Sequence, residues 1–381
     1  SGKKITDVVN IGIGGSHLGP EMVTEALAYY SKGVKPHFIS NIDPDFTSKL
    51  LKDLNPETTL FIIVSKTFTT IETLENANKV RAWFIDNASE IAIKDHFFAI
   101  SNNTEAPKKF GVSLDNILSI PDWVGGRFSL WGSVGLIISI VIGSESFKDF
   151  LKGAQEMDTH FRNSPFEKNI PVVLALVSIW YNNFFKCETE VVLPYSQFLR
   201  KLPNYLQQAS MESNGKSVDR SGKKVNYETG SIVWGSTGTN AQHAFFQLMH
   251  QGTKIIPSDF IAFKESLYGD SNQHKILNSN FLAQTNALMT GKLALGNDVH
   301  KNIDGNKPST SIVINKLDPS SLGSLIAMYE NKIFTIGSIL NVFSFDQWGV
   351  ELGKSIAKEI LLGNDDALDK STKKIKEQLK G

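Results

Sequence analysis

Residues 60–74 read LFIIVSKTFTTIETL and contain the pattern that decides the fold. The apolar run 60–64 is typical of a buried strand, and helical spacing begins near Ile71. Residues 65–70 would bring hydroxyls, backbone N–H groups and one ammonium to the positive end of the helix dipole. We therefore predict a phosphate-binding loop. An ordinary capped helix with an incidental lysine is the alternative if the stretch is taken alone.

Length and composition limit the kinds of protein this chain can be. Its 381 residues suit two domains, and 39 basic side chains balance 39 acidic ones. No global charge favours nucleic acid or an anionic membrane surface, so we expect a small-molecule partner. The single cysteine, Cys187, rules out an internal disulfide and a multi-cysteine metal site, and fits a reducing, cytoplasmic setting. The most apolar stretch, 134–143, is too short to span a bilayer.

Strand-like and helix-like segments alternate through the first half of the chain, which predicts a parallel sheet with helices on both faces. A helical bridge is expected over 128–185, and strands then return in a second α/β unit. The fold class is therefore α/β, with two doubly wound parallel sheets in three-layer αβα domains, a helical bridge and C-terminal helices. We expect domains at 1–150 and 151–365 and a helical tail at 366–381. The predicted strands are 8–11, 36–40, 59–65, 96–101, 190–194, 231–234, 254–259 and 310–315.

Two glycine-rich turns each follow an apolar strand and precede a helix. The first, 12–19 (GIGGSHLG), invites a dinucleotide-binding interpretation, but His17 stands where G-x-G-x-x-G needs its third glycine. We prefer a turn in which Gly14, Gly15 and Ser16 approach a substrate. The second turn, 235–239, echoes the first and indicates a duplicated architecture.

Two further motifs offer a cation and a base. Arg127 follows two glycines, so its planar guanidinium could approach an enediolate or a phosphate closely. The alternative is an arginine paired with a surface carboxylate. Gln208 and Glu212 lie one turn apart on a predicted helix that starts at Pro203 and stops at the Asn-Gly pair 214–215, and its C-terminal dipole end would make Glu212 a better base. Helix position alone leaves an exposed structural glutamate as the alternative.

Three other side chains suit acid–base chemistry. His243 is predicted in the first turn of a helix, where the neutral imidazole is favoured. His250, seven residues later, raises the alternative of a metal face, although no third ligand is evident. Gln347 and Lys354 are predicted on one face of a helix over 345–354, and a snorkelling surface lysine is the alternative there. The lysine-rich tail 370–380 is expected to be a solvated surface helix.

Together these motifs, in this order, resemble those of the phosphoglucose isomerase family over nearly the whole chain. The resemblance implies two sugar-isomerase (SIS) domains and reversible interconversion of glucose 6-phosphate and fructose 6-phosphate, in glycolysis and gluconeogenesis, without cofactor or metal. The motifs are SKTFTT (65–70), GGRFS (125–129), QQ (207–208) through MESNGK (211–216), GTNAQH (238–243) and FDQWGVELGK (345–354).

The resemblance also implies a role for each matched residue. Glu212 would move a proton between C1 and C2 through a cis-enediol, while Arg127 and the Gly126 N–H would stabilise the enediolate. His243 and Lys354 would open the sugar ring. That histidine would come from the neighbouring subunit of a homodimer. The phosphate would be bound by Ser16, Ser65, Lys66, Thr67 and Thr70, the hydroxyls oriented by Gln208 and Gln347, and His243 oriented by Glu72.

Some features depart from the family pattern. The family normally carries a helical segment before the first glycine-rich turn, so we expect a fragment or a shorter member. Many members have an acid at the place of His17 and Glu-Pro at 236–237. A non-catalytic phosphosugar-binding module and a nucleotide-dependent oxidoreductase are the competing functions. The motifs leave open whether mannose 6-phosphate is also a substrate.

Overall fold

Both β-sheets lie in the larger of two compact units. The computed structural model describes residues 2–294, 298–366 and 368–379. Its contacts separate Ser1–Ser344 from Phe345–Gly381. The predicted tail at 366–381 falls within the smaller unit, which begins earlier, and the expected boundary near residue 150 stays a prediction.

The first sheet has five parallel strands in the order β2-β1-β3-β4-β5. Asp7 of β1 lies opposite Lys35 on one side and Thr59 on the other. The predicted strands of this half are confirmed to within one or two residues, and β5 is an addition. The strands are β1 (Asp7–Ile11), β2 (Lys35–Ile39), β3 (Thr59–Val64), β4 (Phe97–Ile100) and β5 (Ile117–Leu118).

The second sheet has four parallel strands in the order β7-β6-β8-β9 and repeats the topology of the first. The predicted strand 254–259 is wrong in position, because the strand begins at Ser258. Pro257 precedes it and contributes only its carbonyl, which accepts from the Val191 N–H at 3.0 Å. The strands are β6 (Thr189–Pro194), β7 (Ile232–Gly235), β8 (Ser258–Phe263) and β9 (Ser309–Ile314).

Helices connect the strands and bridge the two sheets, as expected. The longest helix, α13, packs along α7 and α8 of the bridge. In the larger unit they are α1 (Leu18–Ala26), α2 (Pro44–Lys52), α3 (Ile71–Asn87), α4 (Ile93–His96), α5 (Glu105–Phe110), α6 (Leu136–Ile142), α7 (Ser144–Asn163), α8 (Ile170–Phe184), α9 (Leu202–Gln207), α10 (Gly238–Gln242), α11 (Phe246–Gln251), α12 (Ser271–Thr290) and α13 (Pro319–Ile339).

Alternate residues of each inner strand enter different hydrophobic cores. Val8 and Ile62 face a core that also contains residues of α1 and α6. Val9 and Phe61 face a second core with residues of α2 and α3. Because side chains alternate across a strand, a sheet covered on both faces needs apolar residues at nearly every position. This explains the unbroken apolar run 60–64, and it confirms the predicted α/β layers.

The duplicated topology does not make the two glycine-rich turns equivalent. The turn after Ile11 follows an inner strand, β1, whereas the turn after Gly235 follows an edge strand, β7. By strand order the counterpart of β1 is β6, which ends at Pro194. The duplication is therefore confirmed in the sheets but not in the motif that suggested it.

Among its described residues, the smaller unit contains the α-helices α14 (Glu351–Leu361) and α15 (Lys370–Gln378). Ile375 and Leu379 are exposed, as expected for a surface helix. Across both units, none of the helices that the structure describes is long and apolar enough to cross a membrane.

Candidate active site

The candidate site lies where the strand order of the first sheet reverses. β1 and β3 are neighbours, and the chain leaves them towards opposite edges of the sheet. In doubly wound sheets such a point opens a crevice at the carboxyl ends of the strands, where ligands bind. The glycine-rich turn after β1 and the hydroxyl-rich loop 65–70 after β3 both lie at this edge.

The glycine-rich turn packs directly against the segment that carries Arg127. A Cβ added to Gly15 would lie 2.0 Å from the carbonyl carbon of Gly126, so only glycine fits. Gly14 has a φ of +59°, and a Cβ there would lie 3.1 Å from Nε2 of Gln208. The close approach predicted for this turn is therefore to the protein's own backbone at Gly126. Ser16 closes the turn, and its carbonyl accepts from Nδ2 of Asn10 at 3.0 Å.

Arg127 is buried, and the groups that fix it include Ser213, Glu212 and the Ser344 carbonyl. Its Nε donates to Oγ of Ser213 at 2.8 Å, and its guanidinium also donates to the carbonyl of Ser344. A third bond runs to Oε2 of Glu212 at 3.1 Å. The Arg127 side chain is 2% exposed and that of Glu212 is 23% exposed. The alternative of a surface ion pair does not hold for this arginine, because the charge lies inside the protein.

Glu212 and Gln208 are brought together by an irregular helix. The helix predicted between Pro203 and the Asn-Gly stop at 214–215 is α9 followed by one π-helical segment, Gln208–Glu212. π-Helical turns are rare and often occur at functional sites. Nε2 of Gln208 donates to Oε2 of Glu212 at 3.1 Å, so this oxygen accepts from both Gln208 and Arg127. The other oxygen, Oε1, has no hydrogen-bond partner in the part of the chain that the structure describes.

The loop 65–70 is anchored by side chains that face inward. Oγ of Ser65 donates to Oγ1 of Thr70 at 3.4 Å, and the hydroxyls of Thr67 and Thr69 are 2.6 Å apart. Phe68 has a φ of +55°, which is rare for an aromatic residue, and its side chain is buried in the core. No local pattern indicated this strained anchor, and the residues on either side of it, Thr67 and Thr69, are exposed.

The side chain of Lys66 lies against the loop that contains Asp122 and Val124. Its Nζ donates to the carbonyl of Asp122 at 2.6 Å and to that of Val124 at 3.3 Å. The expected phosphate contact of this side chain stays a prediction.

His243 does not lie where the sequence predicted. α10 has only five residues and ends at Gln242, so His243 caps its C-terminus and is exposed. The argument from the positive end of the helix dipole is therefore wrong. Glu72 is in the first turn of α3 and half-buried, and no hydrogen bond joins it to His243 within the described residues of one chain.

The metal alternative involves His250, whose Nε2 lies 2.8 Å from Oε1 of Gln284. Over residues 2–294, 298–366 and 368–379, no group of three or more His, Cys, Asp or Glu side chains has the arrangement of a metal site.

Gln347 and Lys354 lie in the smaller unit. The predicted helix 345–354 is wrong in its first half, because α14 begins only at Glu351 after a single 3-10 turn, Trp348–Val350. Gln347 has a non-helical ψ of 48°, so the two residues do not share a helix face. Gly349 in this turn is a poor helix former. Lys354 is 63% exposed and lies 3.0 Å from Glu351.

A buried acid, Glu330, is linked through Tyr205 of α9 to the backbone of Arg127. Oε1 of Glu330 accepts from the Tyr205 hydroxyl and Oε2 from Nε1 of Trp131, each at 2.8 Å. The same Tyr205 hydroxyl lies 3.5 Å from the carbonyl of Arg127. Burial raises the pKa of Glu330 to about 8, against its hydrogen bonds to Tyr205 and Trp131. The sequence analysis did not predict this network. The one signal for it was an acidic residue, Glu330, within the largely apolar helix 319–339.

Solved structures define the class of protein. A crystal structure of a glucose-6-phosphate isomerase from Chlamydia trachomatis superposes with a TM-score of 0.88 at 36% identity, covering 96% of this chain and 71% of that one. Glucosamine-6-phosphate deaminase from Thermotoga maritima has a TM-score of 0.51 at 12% identity, covering 91% of this chain and 89% of that one, and shows the fold alone. The fold is that of the SIS-type phosphosugar enzymes.

Sequence comparisons narrow this class to one family. The family model described as phosphoglucose isomerase matches residues 1–375. A curated glucose-6-phosphate isomerase from Christiangramia forsetii is 56% identical over 396 residues, which cover 98% of this chain and 73% of that protein. The chain belongs to the phosphoglucose isomerase family.

Proposed function

We propose that this chain interconverts D-glucose 6-phosphate and D-fructose 6-phosphate through a cis-enediol, with Glu212 as the base. As a member of the phosphoglucose isomerase family it is an aldose–ketose isomerase. The reaction belongs to glycolysis in one direction and to gluconeogenesis in the other. A cytoplasmic location forms part of the proposal.

The observation that supports Glu212 as the base is that its two carboxylate oxygens differ in their hydrogen bonding. Oε2 is fixed by Arg127 and Gln208, while Oε1 is left to accept a proton. A C–H next to a carbonyl is a weak acid, so isomerisation needs a positioned carboxylate, which contributes about 10²- to 10⁴-fold. The buried Arg127 charge beside it would stabilise the enediolate, since charges act strongly where water is excluded.

The loop at the switch point supports phosphate binding. The hydroxyls of Ser65, Thr67 and Thr70 gather at the start of α3, a 17-residue helix whose dipole favours an anion. Ser16 lies in the turn after β1, and the backbone of Gly126 packs against that turn at Gly15. The phosphate does not react, and its binding energy would hold C1 and C2 against Glu212.

Ring opening is assigned to His243 and Lys354, with Glu72 orienting His243 and Gln347 orienting a hydroxyl. These roles rest on the motifs, and the exposed position of His243 supports its contribution to the site of a neighbouring subunit. We therefore propose a homodimer in which each site combines Glu212 of one subunit with His243 of the other.

The deciding experiment follows glucose 6-phosphate formation from fructose 6-phosphate with the purified chain and its Glu212→Gln variant. We expect turnover in the wild type and a loss of about 10²- to 10⁴-fold in kcat in the variant, because the amide cannot accept the proton. Substrate binding, measured by calorimetry, should persist in the variant. Glu167→Gln, an exposed glutamate on another turn, serves as the control and should leave both quantities unchanged.

The outcomes separate the competing functions. Binding without turnover in the wild type would support a non-catalytic phosphosugar-binding module. Full activity in Glu212→Gln would remove Glu212 as the base but leave the isomerase.

A further inference from the structure

The ammonium of Lys66 is held against the loop that precedes Arg127. Its two acceptors are the carbonyls of Asp122 and Val124, at 2.6 Å and 3.3 Å. The backbone of Lys66 is fixed as well, because its carbonyl accepts from the Asn102 N–H at 2.8 Å and from Oγ of Ser101 at 3.1 Å. Lys66 is thus bound at both ends, and its charge faces two carbonyl dipoles.

Asn102 holds the same loop from the neighbouring strand end. Its Nδ2 donates to Oδ1 of Asp122 at 2.6 Å, and its Oδ1 accepts from the Ile120 N–H at 2.8 Å. Lys66 follows β3 and Asn102 follows β4, which pair in the sheet. Two side chains from adjacent strand ends therefore hold the segment 120–124.

The position of this segment sets the position of the residues after it. Gly125 follows Val124 directly, and Gly126 packs so closely against the glycine-rich turn that a Cβ on Gly15 would lie 2.0 Å from the Gly126 carbonyl carbon. Arg127 comes next and reaches Glu212 at 3.1 Å. A shift of the segment 120–124 would move the guanidinium relative to Glu212, and misplacement by about 1 Å costs up to about 10²-fold in rate.

We propose that Lys66 and Asn102 are positioning residues that together fix the segment 120–124 and through it Arg127. On this account the Lys66 ammonium acts on the transition state through Arg127 and is not a direct ligand of the substrate phosphate. The inference rests on the proposed isomerase function and adds Asn102 to the residues that the reaction needs.

Steady-state kinetics of Lys66→Met and Asn102→Ala, with inorganic phosphate as competitive inhibitor, distinguish a positioning role from phosphate binding. A positioning role lowers kcat by about 10-fold or more in each variant, while the inhibition constant of phosphate changes by less than about 3-fold. The double variant should lose little more than the worse single variant, because both act through one segment. A phosphate ligand would instead weaken inhibition by about 10-fold or more in Lys66→Met with kcat preserved, and that result would overturn the proposal.

Two further variants keep the test decisive. Lys79→Met is the matched control, since Nζ of Lys79 on α3 also donates to a carbonyl, that of Pro44 at 2.6 Å, but Pro44 is the first residue of α2. It should change neither kcat nor phosphate inhibition. If Lys66→Met fails to fold, Asn102→Asp tests the same contact, because its carboxylate would face that of Asp122 and should lower kcat.

Different results would refute the proposed function and the positioning role. A wild type without turnover would refute the proposed function, whereas an active wild type with unchanged kcat in both Lys66→Met and Asn102→Ala would refute the positioning role alone.

Discussion

Two sets of proposed site residues differ in their hydrogen bonding and in their exposure to solvent. Arg127, Gln208 and Glu212 are hydrogen-bonded to one another, and the Arg127 side chain is 2% exposed. His243 and Lys354 are exposed, and Lys354 has 63% of its side chain in solvent. The groups proposed for proton transfer are thus preorganised within the chain. Those proposed for ring opening, His243 and Lys354, lie at the surface.

After Glu212→Gln, the largest loss of turnover is expected from Arg127→Lys. An ammonium cannot reproduce the three-way fork to Ser213, Glu212 and the Ser344 carbonyl, so kcat should fall by about 10²- to 10³-fold. Steady-state kinetics measure this loss, and Arg200→Lys, which changes an exposed pair with Glu25, is the control. A variant within about 3-fold of wild-type kcat would show that charge alone suffices.

The contrast between the two sets predicts complementation between inactive variants. When Glu212→Gln and His243→Gln chains are mixed and allowed to exchange subunits, half the dimers should be mixed, and each would carry one intact site. Activity should then rise to about a quarter of wild type in a symmetric dimer. If the single variants lie about 10²-fold down, this is a gain of about 25-fold. An unchanged mixture, with exchange verified by a mass-tagged chain, would place His243 and Glu212 in the same subunit's site.

The sequence predicted most where local pattern and structure coincide. Strands buried on both faces must be apolar throughout, which made β1, β3 and β6 evident. Gly15 and the loop 65–70 were found because close backbone approach and helix starts need particular residues.

The sequence-based predictions failed where tertiary contacts determine the local structure. α10 ends after five residues, which moved His243 from the first turn to the C-terminal cap. No local pattern fixes where a five-residue helix ends, because packing outweighs propensity at that length. The contacts of Asn102 with Asp122 and of Glu330 with Trp131 join residues distant in sequence, so no local pattern contained them.

A pH-dependent stability effect is expected from Glu330, which supports the preorganised set through Tyr205. The folded-state pKa of about 8 lies above the ordinary glutamate pKa of 4.5, so between these two pH values the folded protein holds a proton that the unfolded chain has released. Stability from this group is present at low pH and is lost as pH rises towards about 8. Glu330→Gln should remove this dependence, because the amide imitates the neutral acid.

Thermal unfolding at pH 5 and pH 8 measures the effect. The unfolding midpoint of Glu330→Gln minus that of wild type should increase by on the order of 5 °C from pH 5 to pH 8. Other buried acids such as Asp259 are present in both proteins, so their contributions cancel in the difference. If the difference in midpoint between Glu330→Gln and wild type is the same at pH 5 and pH 8, Glu330 is ionised in the folded protein.

The smallest effect on stability is expected from Lys354→Met. Its partner Glu351 is three residues away on α14, and an exposed pair of this kind contributes about 0.5 kcal/mol or less. The unfolding midpoint should therefore move by about 1 °C or less, while kcat falls if Lys354 opens the ring. Lys358→Met, exposed on the same helix, should change neither. A residue whose removal leaves stability intact but lowers turnover is retained for its chemistry, whereas Arg127 serves both chemistry and packing. A midpoint several degrees lower in Lys354→Met would erase that distinction and make the Lys354–Glu351 pair structural.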